Sequence, residues 1–187
     1  MGGNVKILSK CNSWGVDILI FITVGTSNYS FNRLFKIIDE LIYEKVLNGD
    51  DVVAQIGFSE YETKNFKTLK FIDAQEHHKY LEKAEYIISH SGTGSVISSL
   101  KMGKKVIVFP RLEKYHEMCD DHQLELTEFF TKNGFILSAN NKEQLRDCIK
   151  NINKFKPEKF ESNSDNFNKL IIDIIQGGDF IENTNDR

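Results

Sequence analysis

Ile18 to Val24 read ILIFITV, a run whose only polar side chain is the hydroxyl of Thr23. So short and apolar a stretch, rich in β-branched and aromatic residues, fits a strand buried on both faces, and such strands belong to parallel sheets covered by helices on either side. Similar runs follow at VVAQIG (52–57), LKFI (69–72), YIIS (86–89), KVIVF (105–109, ended by Pro110) and GFIL (134–137). Between them the apolar period changes to that of a helix. Phe31, Leu34, Phe35, Ile38, Leu41 and Ile42 predict a helix over 31–46, and further helices are expected over 75–84, 93–102 and 119–132. Leu145, Cys148, Ile149 and Ile152 mark another, and Phe167, Leu170, Ile171, Ile174 and Ile175 a last one before Gly177-Gly178. Strands alternating with helices through short connections predict an α/β domain with a mostly parallel sheet. In such sheets ligands bind beyond the carboxyl ends of the strands, so the loops after the strands are the place to look for chemistry.

The 187 residues are enough for one domain with a core that needs neither disulfides nor metal. We divide the chain into an extension over 1–17, a folded domain over 18–152, and a polar loop, helix and tail over 153–187. Three cysteines, 11, 119 and 148, are odd in number and far apart, which fits free thiols in a reducing compartment. The formal net charge of −3 gives no basic field for nucleic acid. No apolar run reaches the ~18 residues a membrane helix needs, and the first 17 residues do not have a signal-peptide pattern, so a cytoplasmic chain is expected.

The stretch His90-Ser91-Gly92-Thr93-Gly94-Ser95 follows one expected strand and opens one expected helix. First-turn N–H groups and the positive end of the helix dipole suit phosphate oxygens, glycines let a ligand approach, and Thr93 and Ser95 add hydroxyl donors. Small residues and hydroxyls at a helix start also read as a simple cap. The sequence lacks the Gly-Lys-Ser/Thr ending of a Walker loop and does not match the dinucleotide fingerprint. Gly25 and Thr26, after the first strand, can face the same cleft or form an ordinary turn. Glu113 to Phe130 places Asp121, His122 and Gln123 near a helix start on the same edge, where polar side chains can meet sugar hydroxyls or remain solvated. His116, Cys119 and His122 invite a metal reading, but steps of three put the outer two about 120° apart around a helix, so no metal site is expected. His77 and His78 are expected at the surface.

Four segments taken together, IFITVGTSNYSFNRLF, ISHSGTG, GKKVIVFPR and DDHQLEL, resemble the C-terminal domain of glycosyltransferase family 28 over about residues 18–150. The resemblance is to its small single-domain members. These include bacterial capsule and exopolysaccharide subunits, toward which TVGT, FNRL and the DHQLE segment lean, and the catalytic subunit of the eukaryotic transferase that makes chitobiosyl dolichol diphosphate. The family implies a GT-B fold, in which two Rossmann-like halves meet over donor and acceptor; this chain resembles the nucleotide-sugar half. It further implies a UDP-sugar donor, no other cofactor, and a separate membrane-associated subunit that binds a lipid-linked saccharide acceptor and keeps this chain at the cytoplasmic membrane face. By position, Ser91, Gly92, Thr93, Gly94 and Ser95 would cradle the UDP diphosphate, Asp121, His122 and Gln123 would contact the donor sugar or its phosphate, and Gly25 and Thr26 would line the cleft. His116 and His122 are the candidate bases. Several relatives carry an acid for the ribose hydroxyls where this chain has Ser98, which leaves a non-catalytic enhancer subunit as the alternative and an epimerase-like domain as a more distant one.

Overall fold

The computed structural model describes residues 18–119 and 122–161, with the backbone but not the side chain of His122. The expected last helix, the extension over 1–17 and Asp121 lie outside the described residues. Six strands form one sheet in which every pairing is parallel: β1 (Ile20–Thr23), β2 (Val52–Gln55), β3 (Lys67–Leu69), β4 (Tyr86–Ser89), β5 (Lys105–Val108) and β6 (Leu137–Ser138). Their order across the sheet is β3-β2-β1-β4-β5-β6. The connecting helices are α1 (Asn32–Tyr43), α2 (Ala74–Lys83), α3 (Thr93–Lys101), α4 (His122–Lys132) and α5 (Lys142–Asn151).

Parallel strands can be joined only by crossovers, and crossovers place helices on both faces. Ile20, Ile22, Ala54, Ile88 and Ile107 pack under Leu34, Phe35, Ile38 and Leu41 of α1 and Leu145 and Ile149 of α5. On the opposite face Phe21, Val53 and Ile87 meet Tyr80 and Leu81 of α2, while Val106 and Val108 meet Val96 and Leu100 of α3 and Leu126 and Phe130 of α4. All four residues of β1 are buried, as a central strand between two covered faces requires. Each fully buried Leu, Ile or Phe contributes about 1.5–3 kcal/mol relative to exposure, so the two helical layers hold the sheet rigid beneath its loops.

Three boundaries differ from the sequence expectation. β3 begins at Lys67 rather than Leu69, because this edge strand is partly exposed and carries no continuous apolar signal. α4 begins at His122 rather than Cys119, since a 3₁₀ turn at Glu113–Tyr115 is followed by irregular backbone over 116–119. β6 begins at Leu137 rather than Gly134, because Gly134 and Phe135 donate back to Thr131 and Phe130 to finish α4. Among the described residues no helix is long and apolar enough to cross a membrane.

Candidate functional site

The strand order reverses between β1 and β4: the chain moves from β1 out to β2 and β3, then returns to the other side of β1. The loops leaving the carboxyl ends of β1 and β4 diverge there, and it is at such a switch point that open parallel sheets bind ligands. Gly25 and Thr26 form the first loop and His90 to Ser95 the second, so the topology brings together two segments 65 residues apart in the sequence.

The start of α3 is built differently from those of α2 and α5. Asp73 caps α2 by accepting from the Glu76 N–H at 2.8 Å, and Asn141 caps α5 by accepting from the Gln144 N–H at 2.9 Å. α3 begins at Gly92, which has no side chain to do this. Its first helical bond runs from the Val96 N–H to the Gly92 carbonyl at 3.0 Å. The N–H groups of Thr93, Gly94 and Ser95 lie ahead of it, where a helix offers them no carbonyl and its dipole is positive. Gly94 is exposed, and a Cβ built on it meets no atom within 4 Å. Thr93 and Ser95 are half-buried, and Ser98 stands exposed one turn further along.

Ser91 has a different place from its neighbours. It is buried, adopts a left-handed φ of 67°, and its hydroxyl donates to the Gln123 carbonyl at 2.9 Å, lying 2.7 Å from Thr127 Oγ1. Its side chain therefore ties the glycine turn to the first turn of α4. Gln123, also buried, accepts the Arg111 N–H on Oε1 at 3.3 Å, which fastens α4 to the loop after β5. Of the remaining sequence candidates, Thr26 is exposed in the β1 loop. His116 is exposed with a left-handed φ of 56° at the end of the 3₁₀ turn, and His122 is the first residue of α4.

The largest departure from the sequence reading is His90, which looked like one more residue of the loop. Only 7% of it is exposed, and its Nδ1 lies 3.3 Å from the Thr23 carbonyl. A carbonyl only accepts, so Nδ1 carries the proton and Nε2 of the neutral ring is bare. Burial first, and the Arg111 guanidinium second, push this imidazole down to about 4. The ring lies against both glycine turns: a Cβ on Gly92 would stand 2.4 Å from Nε2, and one on Gly25 2.8 Å from Cε1.

Beneath Gly25 runs a further set of hydrogen bonds. Thr23 Oγ1 donates to Gln55 Oε1 at 2.8 Å, and Gln55 Nε2 donates to the Gly25 carbonyl at 2.8 Å. With its proton so used, Thr23 Oγ1 accepts from His77 Nε2 at 3.4 Å. His77 is thus half-buried against the sheet end instead of on the surface, and burial, followed by the neighbouring His78, lowers its pKa.

Arg111 and Glu117 brace the loop after β5. The Arg111 guanidinium donates to the Tyr29 carbonyl at 2.7 Å and the Val24 carbonyl at 2.9 Å, which pins the β1 loop in place. The Glu117 carboxylate takes two bonds from Arg33 of α1, at 2.9 and 2.7 Å, and one from the Leu112 N–H at 3.1 Å. None of these three charged residues was singled out from sequence, since nothing local in the sequence indicates a partner 84 positions away.

The sequence model of the glycosyltransferase family 28 C-terminal domain matches residues 19–176. The chain belongs to this family. Among curated relatives of the family 28 domain, the UDP-N-acetylglucosamine transferase subunit ALG13 of Candida albicans is 30% identical over 140 residues, covering 75% of this chain and 44% of the relative. Among solved structures, the NMR structure of ALG13 aligns with a TM-score of 0.58 at 19% identity, covering 86% of this chain and 98% of that one. The glycotransferase of kitacinnamycin aligns with a TM-score of 0.54 at 14% identity over 94% of this chain and 42% of its own. The family 28 domain thus has the Rossmann-like α/β fold expected of it and spans less than half of the Candida relative. The relatives matched in fungi and mammals all carry the UDP-N-acetylglucosamine transferase name, so the expected leaning toward capsule and exopolysaccharide subunits finds no support among them.

Proposed function

We propose that this chain is the UDP-sugar-binding, catalytic subunit of a two-component inverting glycosyltransferase, with UDP-N-acetylglucosamine as donor. The observation that carries the reading is the start of α3. It lies at the switch point without a side-chain cap, and Gly94 beside it has no atom where a side chain would be. The names of the ALG13 relatives support N-acetylglucosamine as the sugar.

In the proposed reaction an acceptor hydroxyl attacks the anomeric carbon, the carbon–oxygen bond to the diphosphate breaks, and UDP leaves with the electron pair. The N–H groups of Thr93, Gly94 and Ser95 are fixed before the reaction and face the charge as it grows on the leaving phosphate, the arrangement that lowers such a barrier most. Thr93 and Ser95 add hydroxyls, and exposed Ser98 offers one to the ribose. The acceptor proton needs a base; His116, exposed on the neighbouring loop, and His122, at the start of α4, are the candidates on this chain. The acceptor in this reading is a lipid-diphosphate-linked saccharide, held by a membrane-associated partner subunit that also brings this chain to the cytoplasmic membrane face.

Gly94→Val tests the reading. The added side chain enters open space, so the melting temperature should stay within a few degrees. UDP-N-acetylglucosamine binding by calorimetry should weaken by more than tenfold, and transfer by the chain co-expressed with its partner should be lost. An unchanged affinity would reduce the turn to a structural element. Binding without transfer in the wild-type pair would favour the enhancer alternative.

A further inference from the structure

Gly92 poses a question that its backbone does not answer. Its φ of −69° and ψ of 123° are ordinary extended values that any residue adopts, so conformation alone does not call for glycine there. What excludes a side chain is His90, whose Nε2 would stand 2.4 Å from a Cβ at Gly92. The same ring excludes a Cβ at Gly25, at 2.8 Å from Cε1. One buried imidazole therefore has a glycine turn on each of two sides, one turn leading out of β1 and the other into α3. Its remaining fixed point is the Thr23 carbonyl, at 3.3 Å from Nδ1, at the end of β1. Thr23 is itself tied to Gln55, which holds the Gly25 carbonyl from the other side.

We infer that His90 is a positioning residue: its ring is a wedge that sets the separation of the β1 turn from the first turn of α3, and so aims the N–H groups of residues 93–95 at the diphosphate. The inference rests on the donor-binding reading above for what is aimed, and on the packing alone for the wedge. The ring needs no charge for this work. Its polar function is to donate one hydrogen bond to β1, while its far edge keeps two backbones apart at a spacing that only glycines on both sides permit. The two glycines and the histidine act as one unit, although Gly25 and His90 are 65 positions apart.

The test is a double-mutant cycle with two readouts, thermal unfolding and UDP-N-acetylglucosamine affinity. Gly92→Ala in the wild type forces the ring aside and should lower the melting temperature by at least about 4 °C. In a His90→Ala background the same substitution should cost a small fraction of that, because the new Cβ enters vacated space; such non-additivity marks residues that act together. Gly25 serves less well, since its φ of 67° strains alanine in either background. His90→Asn retains a side-chain N–H for the Thr23 carbonyl without the wedge. It should stay folded at the assay temperature while its affinity falls at least tenfold. A Gly92→Ala penalty equal in both backgrounds, or wild-type affinity in a folded His90→Asn, would overturn the inference. A wild-type chain that fails to bind UDP-N-acetylglucosamine would instead overturn the functional reading, and the melting temperatures would still decide whether the wedge exists.

Discussion

In the turn after β4 the backbone N–H groups of residues 93–95 stand at an uncapped helix start, and a side chain at Gly94 would touch nothing. In the loop after β5, one strand over, the two buried charges among the described residues are engaged within the fold: Arg111 holds the β1 loop, and Glu117 holds Arg33 and the Leu112 N–H. The two loops leave adjacent strands at the same edge and are stitched together by Ser91, Gln123 and Thr127. The difference teaches that buried charge in a loop can be committed to holding the fold. Arg111 and Glu117 brace their loop, whereas the small, uncharged turn has backbone N–H groups to offer.

The strongest way to break this contrast is Glu117→Ala. It leaves the Arg33 guanidinium, still bonded to the Pro110 carbonyl, without its counter-ion and the Leu112 N–H without its acceptor in a mostly buried site, and should cost about 3 kcal/mol in chemical denaturation. At low temperature, where the variant remains folded, UDP-N-acetylglucosamine affinity should change little. Large loss of affinity with little loss of stability would make the β5 loop part of the binding surface.

Acid titration addresses the β4 turn. His90 has its folded pKa lowered to about 4 from an ordinary 6.5, so between those values the unfolded chain binds more protons. The stabilising contribution is whole above pH 6.5 and declines as pH falls toward 4, by about 3 kcal/mol in all. His77 is shifted in the same direction and steepens the same limb. His90→Asn should flatten most of it in denaturation curves taken from pH 7 to 4. An unchanged acid limb would mean that the ring is not buried as described.

The smallest expected effect is at His116. Glycine there removes the cost of a left-handed side-chain-bearing residue and adds the entropy cost of glycine, for a net gain of about 0.5 kcal/mol. Because the fold barely responds, His116→Gly isolates the chemistry: transfer by the co-expressed pair should fall by about 10² or more if His116 is the base, and should be unchanged if it is not.

What could be read from the sequence follows the range of the forces involved. β4 was legible to the residue as YIIS, and β1, β2 and β5 as continuous apolar runs, because burial on two faces leaves a local signature. β3 was displaced because an exposed edge lacks that signature. The turn at Gly92 and the one at Gly25 were both legible as loops at the carboxyl ends of strands, and the strand order sets them side by side. The burial of His90 was not legible, because a histidine between two serines gives no sign that the chain will fold two glycines onto it. The Arg33–Glu117 pair and the hold of Arg111 on Val24 were invisible for the same reason, joining residues 84 and 87 positions apart.

The strand order has a consequence for how the chain is made. β1 lies between β2 and β4, with Ile20 in register with Val52 on one side and Tyr86 on the other. During synthesis its apolar face emerges first and waits for both neighbours, and at about 5–20 residues per second the second arrives several seconds later. In that interval an unpaired strand of Ile, Phe and Ile is a template for the wrong partner. Slowing translation between β1 and β4 should therefore lower the soluble yield, whereas the same pause after β5 should do little, because by then the middle of the sheet has closed.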